Sequence, residues 1–441
     1  MKLVDRFKTP ERKAVWGWAM YDWANSAFVT TVMAGFFPVF FKQYWSYGSD
    51  VNVSTAQLGF ANSLASLAVA VSAPILGAMA DAASAKKRFL VFFAYLGVLM
   101  TAALFLVHRG DWAWAVFIYV MGIIGFSGAN VFYDALLPTV ASEKNIDSVS
   151  GLGFGMGYLG GGLLFALNVL MTRIPHAFGL SSASDAVRYS FLTVGVWWGL
   201  FTLITIRWVN EPGRVSPLRF RETALAGFRQ FASTFRKIRH YRTVFVFLAA
   251  YWFYIDGVDT IIRMAVDYGL SLGFDDKDLI LALLITQFVG FPSAILYSRL
   301  GNVWGVRKAI FLAIAVYMAV TVWGIMMTNR LEFYILAVVI GLVQGGIQAL
   351  SRSYYARLIP REQAGEFYGF YNMLGKFAAI VGPALMGSVG LMVRRLVMPA
   401  SPTEAQMLEI GRLASRWSIG SILLLFAVGA VLFYLAGRKR R

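Results

Sequence analysis

Twelve runs of roughly twenty apolar residues divide this chain of 441 residues, and a run of that length is what one α-helix needs to cross a bilayer. Their approximate limits are 14–41, 57–80, 89–107, 112–138, 151–171, 188–209, 243–267, 278–300, 307–327, 332–358, 365–392 and 415–436. The runs are continuous rather than alternating with period two, so a transmembrane β-barrel is excluded. The first 13 residues are polar and the first run is too long for a signal-peptide core, so no cleavable leader is expected. Only 14% of residues are charged while 58% are hydrophobic, too few charges to clothe a water-facing surface. The expected fold is an all-α integral membrane protein of twelve transmembrane helices in two pseudo-symmetric halves of six.

The net charge of +17 does not point to nucleic acid. With the N-terminus placed in the cytoplasm, 27 Lys and Arg residues fall on cytoplasmic segments and ten on external ones. That bias is a topology signal. It predicts cytoplasmic termini in a bacterial inner membrane, with the lipid bilayer and a small molecule as partners and a monomeric state. The chain has no cysteine, which excludes disulfides and thiolate chemistry. Its three histidines, His108, His176 and His240, lie far apart in loops, so no metal site is expected. No Ser/His/Asp grouping, HExxH string or P-loop is present, and the chain does not read as an enzyme.

The longest polar stretch between runs is 210–242, and it separates an N-terminal half (1–209) from a C-terminal half (243–441). Phe220, Leu225, Phe228 and Phe231 recur in it at roughly helical spacing, predicting an amphipathic helix on the cytoplasmic leaflet. The halves echo one another. Asp22 with Asn25 in the first run matches Asp256 with Asp259 in the seventh, both at i,i+3. The loop 77–88 (GAMADAASAKKR) matches 298–308, and NVFYDALLP (130–138) matches RSYYARLIP (352–360). Three matches in one order indicate a duplication.

Ionisable side chains are costly inside lipid and mark pathways. Here they are Asp22, Asp134, Asp256, Asp259, Arg263, Arg352 and Lys376. Asp256, Asp259, Arg263 and Asp267 share one helical face. So do Gln344, Gln348, Arg352 and Tyr355, and Asn372 with Lys376 adds a further pair. Any of these side chains also serves as interhelical packing glue. The string GLGFGMGYLGGG (151–162) holds seven glycines but follows no strand, so it reads as a close-packing face rather than a dinucleotide loop.

YDWANSAF (21–28), FYDALLP (132–138) with SGLGFGMGYLGGG (150–162), and QALSRSYYARLIP (348–360) with EFYGFYNMLGKFAAIVGP (366–383) together resemble the vacuole effluxer-like family of major facilitator transporters. The resemblance implies a twelve-helix major facilitator fold whose helices 1, 4, 7 and 10 line a central cavity, and export of amino acids. The loop Gly77, Asp81, Lys86, Lys87, Arg88 is similar to the superfamily's helix 2–3 signature, a gating loop, with Ser84 where glycine is usual. The expected function is secondary active transport of a small polar solute by alternating access. No cofactor is expected, and a proton, or else sodium, is the expected coupling ion. A drug or lipid exporter and a non-transporting receptor or scaffold are the alternatives. The substrate-facing candidates are Asp22, Asn25, Asp256, Asp259, Arg263, Gln348, Arg352, Tyr355 and Lys376.

Overall fold

The computed structural model describes residues 9–48, 51–211, 225, 228–234, 241–399 and 403–437. Twelve long helices account for nearly all of them: α1 Pro10–Trp45, α2 Val51–Ala83, α3 Lys86–Ala103, α4 Trp112–Ala135, α5 Ile146–Arg173, α6 Ala183–Trp208, α7 Arg242–Ser271, α8 Asp276–Trp304, α9 Val306–Met326, α10 Arg330–Leu358, α11 Ala364–Val397 and α12 Glu404–Ala436. Each covers one of the twelve apolar runs to within a few residues. Every backbone N–H and C=O inside lipid must be satisfied within the protein, and a helix does this locally. Several helices run past the apolar limits because polar residues begin them. Thr9 caps α1 by accepting from the Arg12 N–H, and Thr403 with Gln406 forms a capping box at the start of α12.

The chain forms two compact units. The first holds residues 1–237 and 359–373, the second 238–358 and 374–441. The opening third of α11 therefore belongs with the first unit rather than with the rest of its helix. In the first unit α1 packs on α5 and α6, and α3 packs on α4 and α6. In the second, α8 packs on α10 and α7 packs on the end of α12.

α1 departs from plain α-helix. Residues Phe28–Phe36 and Phe41–Trp45 take the wider π form, on either side of Pro38, which has no N–H to give to the ladder. Nothing in the apolar periodicity announces this. Most of the expected amphipathic helix at 210–242 lies outside the described residues. Within it, residues 228–234 are helical, Phe228 is exposed, and Phe231 stacks on Phe370 at 5.6 Å.

Candidate functional site

In the first unit the glycine string of α5 sets the geometry. A Cβ on Gly153 would lie 2.8 Å from Asp22 Oδ2 and 2.7 Å from the Tyr133 hydroxyl. One on Gly157 would meet Ser26 Oγ at 2.6 Å, and one on Gly161 would meet Thr30 Oγ1 at 2.7 Å. The small residues let α1 lie against α5 with its polar stripe buried between them. Asp22 is buried and accepts from the Tyr133 hydroxyl at 2.7 Å. Tyr133 is held in turn by the Trp18 ring, stacked at 4.3 Å, while the Trp18 indole N–H donates to the Tyr133 carbonyl at 2.8 Å. Asn25, one turn on, donates to Asn130 Oδ1 at 2.7 Å. Thus α1 and α4 share three polar contacts.

The expected gating loop forms a contact with the start of α11. Asp81 accepts the Gly365 N–H at 3.0 Å and the Glu366 N–H at 2.8 Å, and Lys86 Nζ lies 2.8 Å from its Oδ1. A carboxylate at the open N–H groups of a helix start is favoured by both hydrogen bonding and the helix dipole. Gly77 and Gly365 touch so closely that a Cβ on Gly77 would fall 2.1 Å from the Gly365 carbonyl. Ser84, at the position where the signature has glycine, carries φ +49°, the left-handed region. Lys86 and Lys87 contribute through their backbone as well: both N–H groups are received by Glu211, each at 2.9 Å, which caps α3. Arg88 is exposed. About two turns into α11, Asn372 donates to Asp134 at 3.1 Å, and in its first turn buried Glu366 accepts from Gln230 at 2.9 Å.

In the second unit Asp256 is buried and accepts the Gly382 N–H on both oxygens, with Thr260 donating to it at 3.2 Å. Asp259, on the same stripe, is half-buried. Arg352 and Tyr355 are buried on α10, Gln348 is half-buried beside them, and Tyr355 stacks on Phe247 at 5.9 Å. Tyr254 and Ser351 share a 2.7 Å hydrogen bond that joins α7 to α10. The side chains of Arg263, Asp267 and Lys376 lie outside the described residues.

Residues 46–391 match the family described as vacuole effluxer Atg22 like. The chain belongs to that family. A relative in Bacillus subtilis (strain 168), the MFS-type transporter YxiO, is 40% identical over 386 residues, spanning 87% of this chain and 89% of its own. Autophagy-related protein 22 of Eremothecium gossypii is 24% identical over 447 residues, spanning 87% of each chain. Among solved structures, the human organic anion transporter MFSD10 (TETRAN) matches with a TM-score of 0.67 at 16% identity, over 97% of this chain and 100% of that one. The proton:xylose symporter XylE matches with a TM-score of 0.69 at 13% identity, over 98% and 96%. The fold is the twelve-helix fold of the major facilitator superfamily. This Atg22-like chain is a multi-pass membrane transporter of the MFS type, and its relatives are transporters rather than enzymes.

Within this Atg22-like frame, several residues at the site escaped the sequence reading. Asp147 and Glu366, both buried, sit in the first turn of α5 and α11. An acid in a first turn usually reads as a solvated partner of the helix dipole, so their burial left no mark in the pattern. Glu211 and Gly382 act through contacts more than a hundred residues away in sequence.

Proposed function

We propose that this chain is a secondary active transporter that moves a small, polar, carboxylate-bearing solute, of the amino-acid class, by alternating access with proton coupling. The observation that carries the reading is the pair Asp22 and Asp256. Each is a buried carboxylate in a matching helix, and each lies against a glycine, Gly153 of α5 or Gly382 of α11. Duplication explains that both arose; the cost of a carboxyl in a membrane helix argues that both are kept for use. Carboxyl groups exchange protons as their access to water changes, which is what coupling to alternating access requires. Sodium is the competing coupling ion. In this reading Arg352 or Lys376 receives the substrate carboxylate and Asp22 or Asp256 its ammonium group. Asn25, Asp259, Arg263, Gln348 and Tyr355 complete the polar lining.

The Asp81 contact is the proposed gate, made and broken as the transporter cycles. The family's description as effluxers supports export, and the Bacillus relative supports a plasma-membrane location. The working unit is a monomer with both termini cytoplasmic.

The test is a thermal-shift screen of the purified protein against amino acids, peptides and sugars. A ligand that binds only the folded state raises its apparent stability by mass action. Stabilisation by amino acids, lost in Lys376→Ala, is expected. Stabilisation by sugars or peptides alone would refute the substrate class.

A further inference from the structure

The second unit encloses a cavity of different chemistry. It lies among α7, α8, α9 and α10, with Ile419 of α12 in one wall, toward the ends where α7 joins α8 and α9 joins α10. Its empty space comes to about 870 Å³ when the open solvent at its mouth is included. Leu279, Leu283, Phe333, Leu336 and Ile340 are among its apolar lining residues. None of the described lining residues is charged. From Phe333 to Gln344 the cavity follows α10 for about 16 Å at the helical rise per residue.

Most of its polar groups are already engaged. The Tyr268 hydroxyl donates to the Gly324 carbonyl, Thr321 to the Tyr317 carbonyl at 2.8 Å, and Thr286 to the Ala282 carbonyl at 3.0 Å. Gln344 differs. It is 7% exposed, it lines the cavity, and its Oε1 has no hydrogen-bond partner among the described residues. A buried acceptor without a donor is costly. A buried water needs two to four polar partners, and apart from the Gln287 amide the lining offers few, since the neighbouring hydroxyl protons are committed elsewhere.

We propose that this cavity binds a neutral amphiphile, an apolar body bearing one hydroxyl that donates to Gln344 Oε1. A charged or zwitterionic solute does not fit, since no described side chain in the lining would receive the charge. The site is therefore separate from the carboxylate-bearing substrate and does not depend on that reading.

The experiment uses the purified full chain in nanodiscs and two isosteric probes, 3-phenyl-1-propanol and butylbenzene, with binding read as the concentration dependence of the thermal unfolding midpoint. A bilayer-resident hydroxyl compound, monoolein, forms a third arm. The alcohol should bind about tenfold more tightly than the hydrocarbon, the worth of one hydrogen bond. Gln344→Leu should remove that preference while leaving hydrocarbon binding in place. Leu283→Trp should fill the cavity and abolish the response to every probe; Ala265→Phe, at another lining position, replaces it if that variant fails to elute as a folded monodisperse species. A response to monoolein assigns the site to membrane lipids and a response to phenylpropanol alone assigns it to soluble amphiphiles, and either supports the pocket. Equal responses in the wild type and the filled variants, or a preference for the alcohol that survives in Gln344→Leu, would overturn it.

Discussion

The two carboxylate oxygens of Asp256 receive one backbone N–H, that of Gly382, at 3.0 and 3.1 Å. Proline follows at position 383, inside the helix. The acid of α7 is thus fastened to α11 at a place where only a glycine fits: a Cβ on Gly382 would lie 1.8 Å from Thr260 Oγ1 and 2.8 Å from Asp256 Oδ1. Asp22 lies comparably close to Gly153 in the first unit, where an added Cβ would fall 2.8 Å from its Oδ2.

Alanine at either glycine is therefore expected to destabilise the protein. Overpacking a close contact costs about 1–3 kcal/mol, so Gly382→Ala and Gly153→Ala should each lower stability by that order in denaturant titrations of the detergent-solubilised protein. Gly387→Ala is the control. It lies in the same α11, nothing stands within 4 Å of the added Cβ, and it should be neutral or stabilising by up to about 1 kcal/mol. Equal effects at all three positions would contradict the packing described.

Ser84 offers a gain. It is the sole non-glycine residue with positive φ among the described residues, at +49°. Left-handed backbone costs a residue with a Cβ about 1–2 kcal/mol relative to the right-handed form, and glycine is largely spared. Ser84→Gly should raise stability by about 1 kcal/mol, less what glycine loses in the unfolded chain. A lower unfolding midpoint would show that the serine hydroxyl does more than occupy the turn.

How much of this was legible in the residues follows from the kind of signal each feature leaves. Helix number and order were readable because lipid demands a continuous apolar run for each crossing, and twelve such runs are present. The close-packing role of GLGFGMGYLGGG was readable because small residues at helical spacing have few other uses in a membrane. The pairing of Asp22 with Tyr133 was half legible: both residues stood in the matched strings, but nothing said they would meet. The seating of Asp256 on Gly382 was not legible, since a backbone N–H donor has no sequence mark. The π-helical stretches of α1 were missed for the same reason, as only Pro38 hints at them. The grouping of residues 359–373 with the first unit runs against the plain division after residue 242, and it follows from the Asp81, Asp134 and Gln230 contacts to α11.

The contact of Asp81 with the start of α11 can be probed by accessibility. The chain has no native cysteine, so Ala364→Cys introduces a single thiol at a buried position beside Gly365. In that background Asp81→Ala removes the acceptor of two N–H groups and the partner of Lys86. Thiol labelling should then quicken by about tenfold, the effect of losing 1.4 kcal/mol of contact energy. An unchanged rate would mean that the contact does not hold this end of α11 in place.

Orientation is tested with the same clean background. Ser233 and Ser181 are both exposed. In intact cells an impermeant thiol reagent should label Ser181→Cys and leave Ser233→Cys untouched. The opposite pattern would invert the topology assigned from the Lys and Arg distribution.

The central claim is that a buried carboxylate of the matched pair carries the coupling proton, and transport by Asp256→Asn in proteoliposomes tests it most directly. The substitution keeps the side-chain size and removes the titrating group. With a radiolabelled amino acid, the variant should retain counterflow exchange at equal pH on both sides, yet show no accumulation driven by an imposed pH gradient, where the wild type accumulates. Gradient-driven accumulation by Asp256→Asn at the wild-type level, with Asp22→Asn behaving alike, would contradict the account.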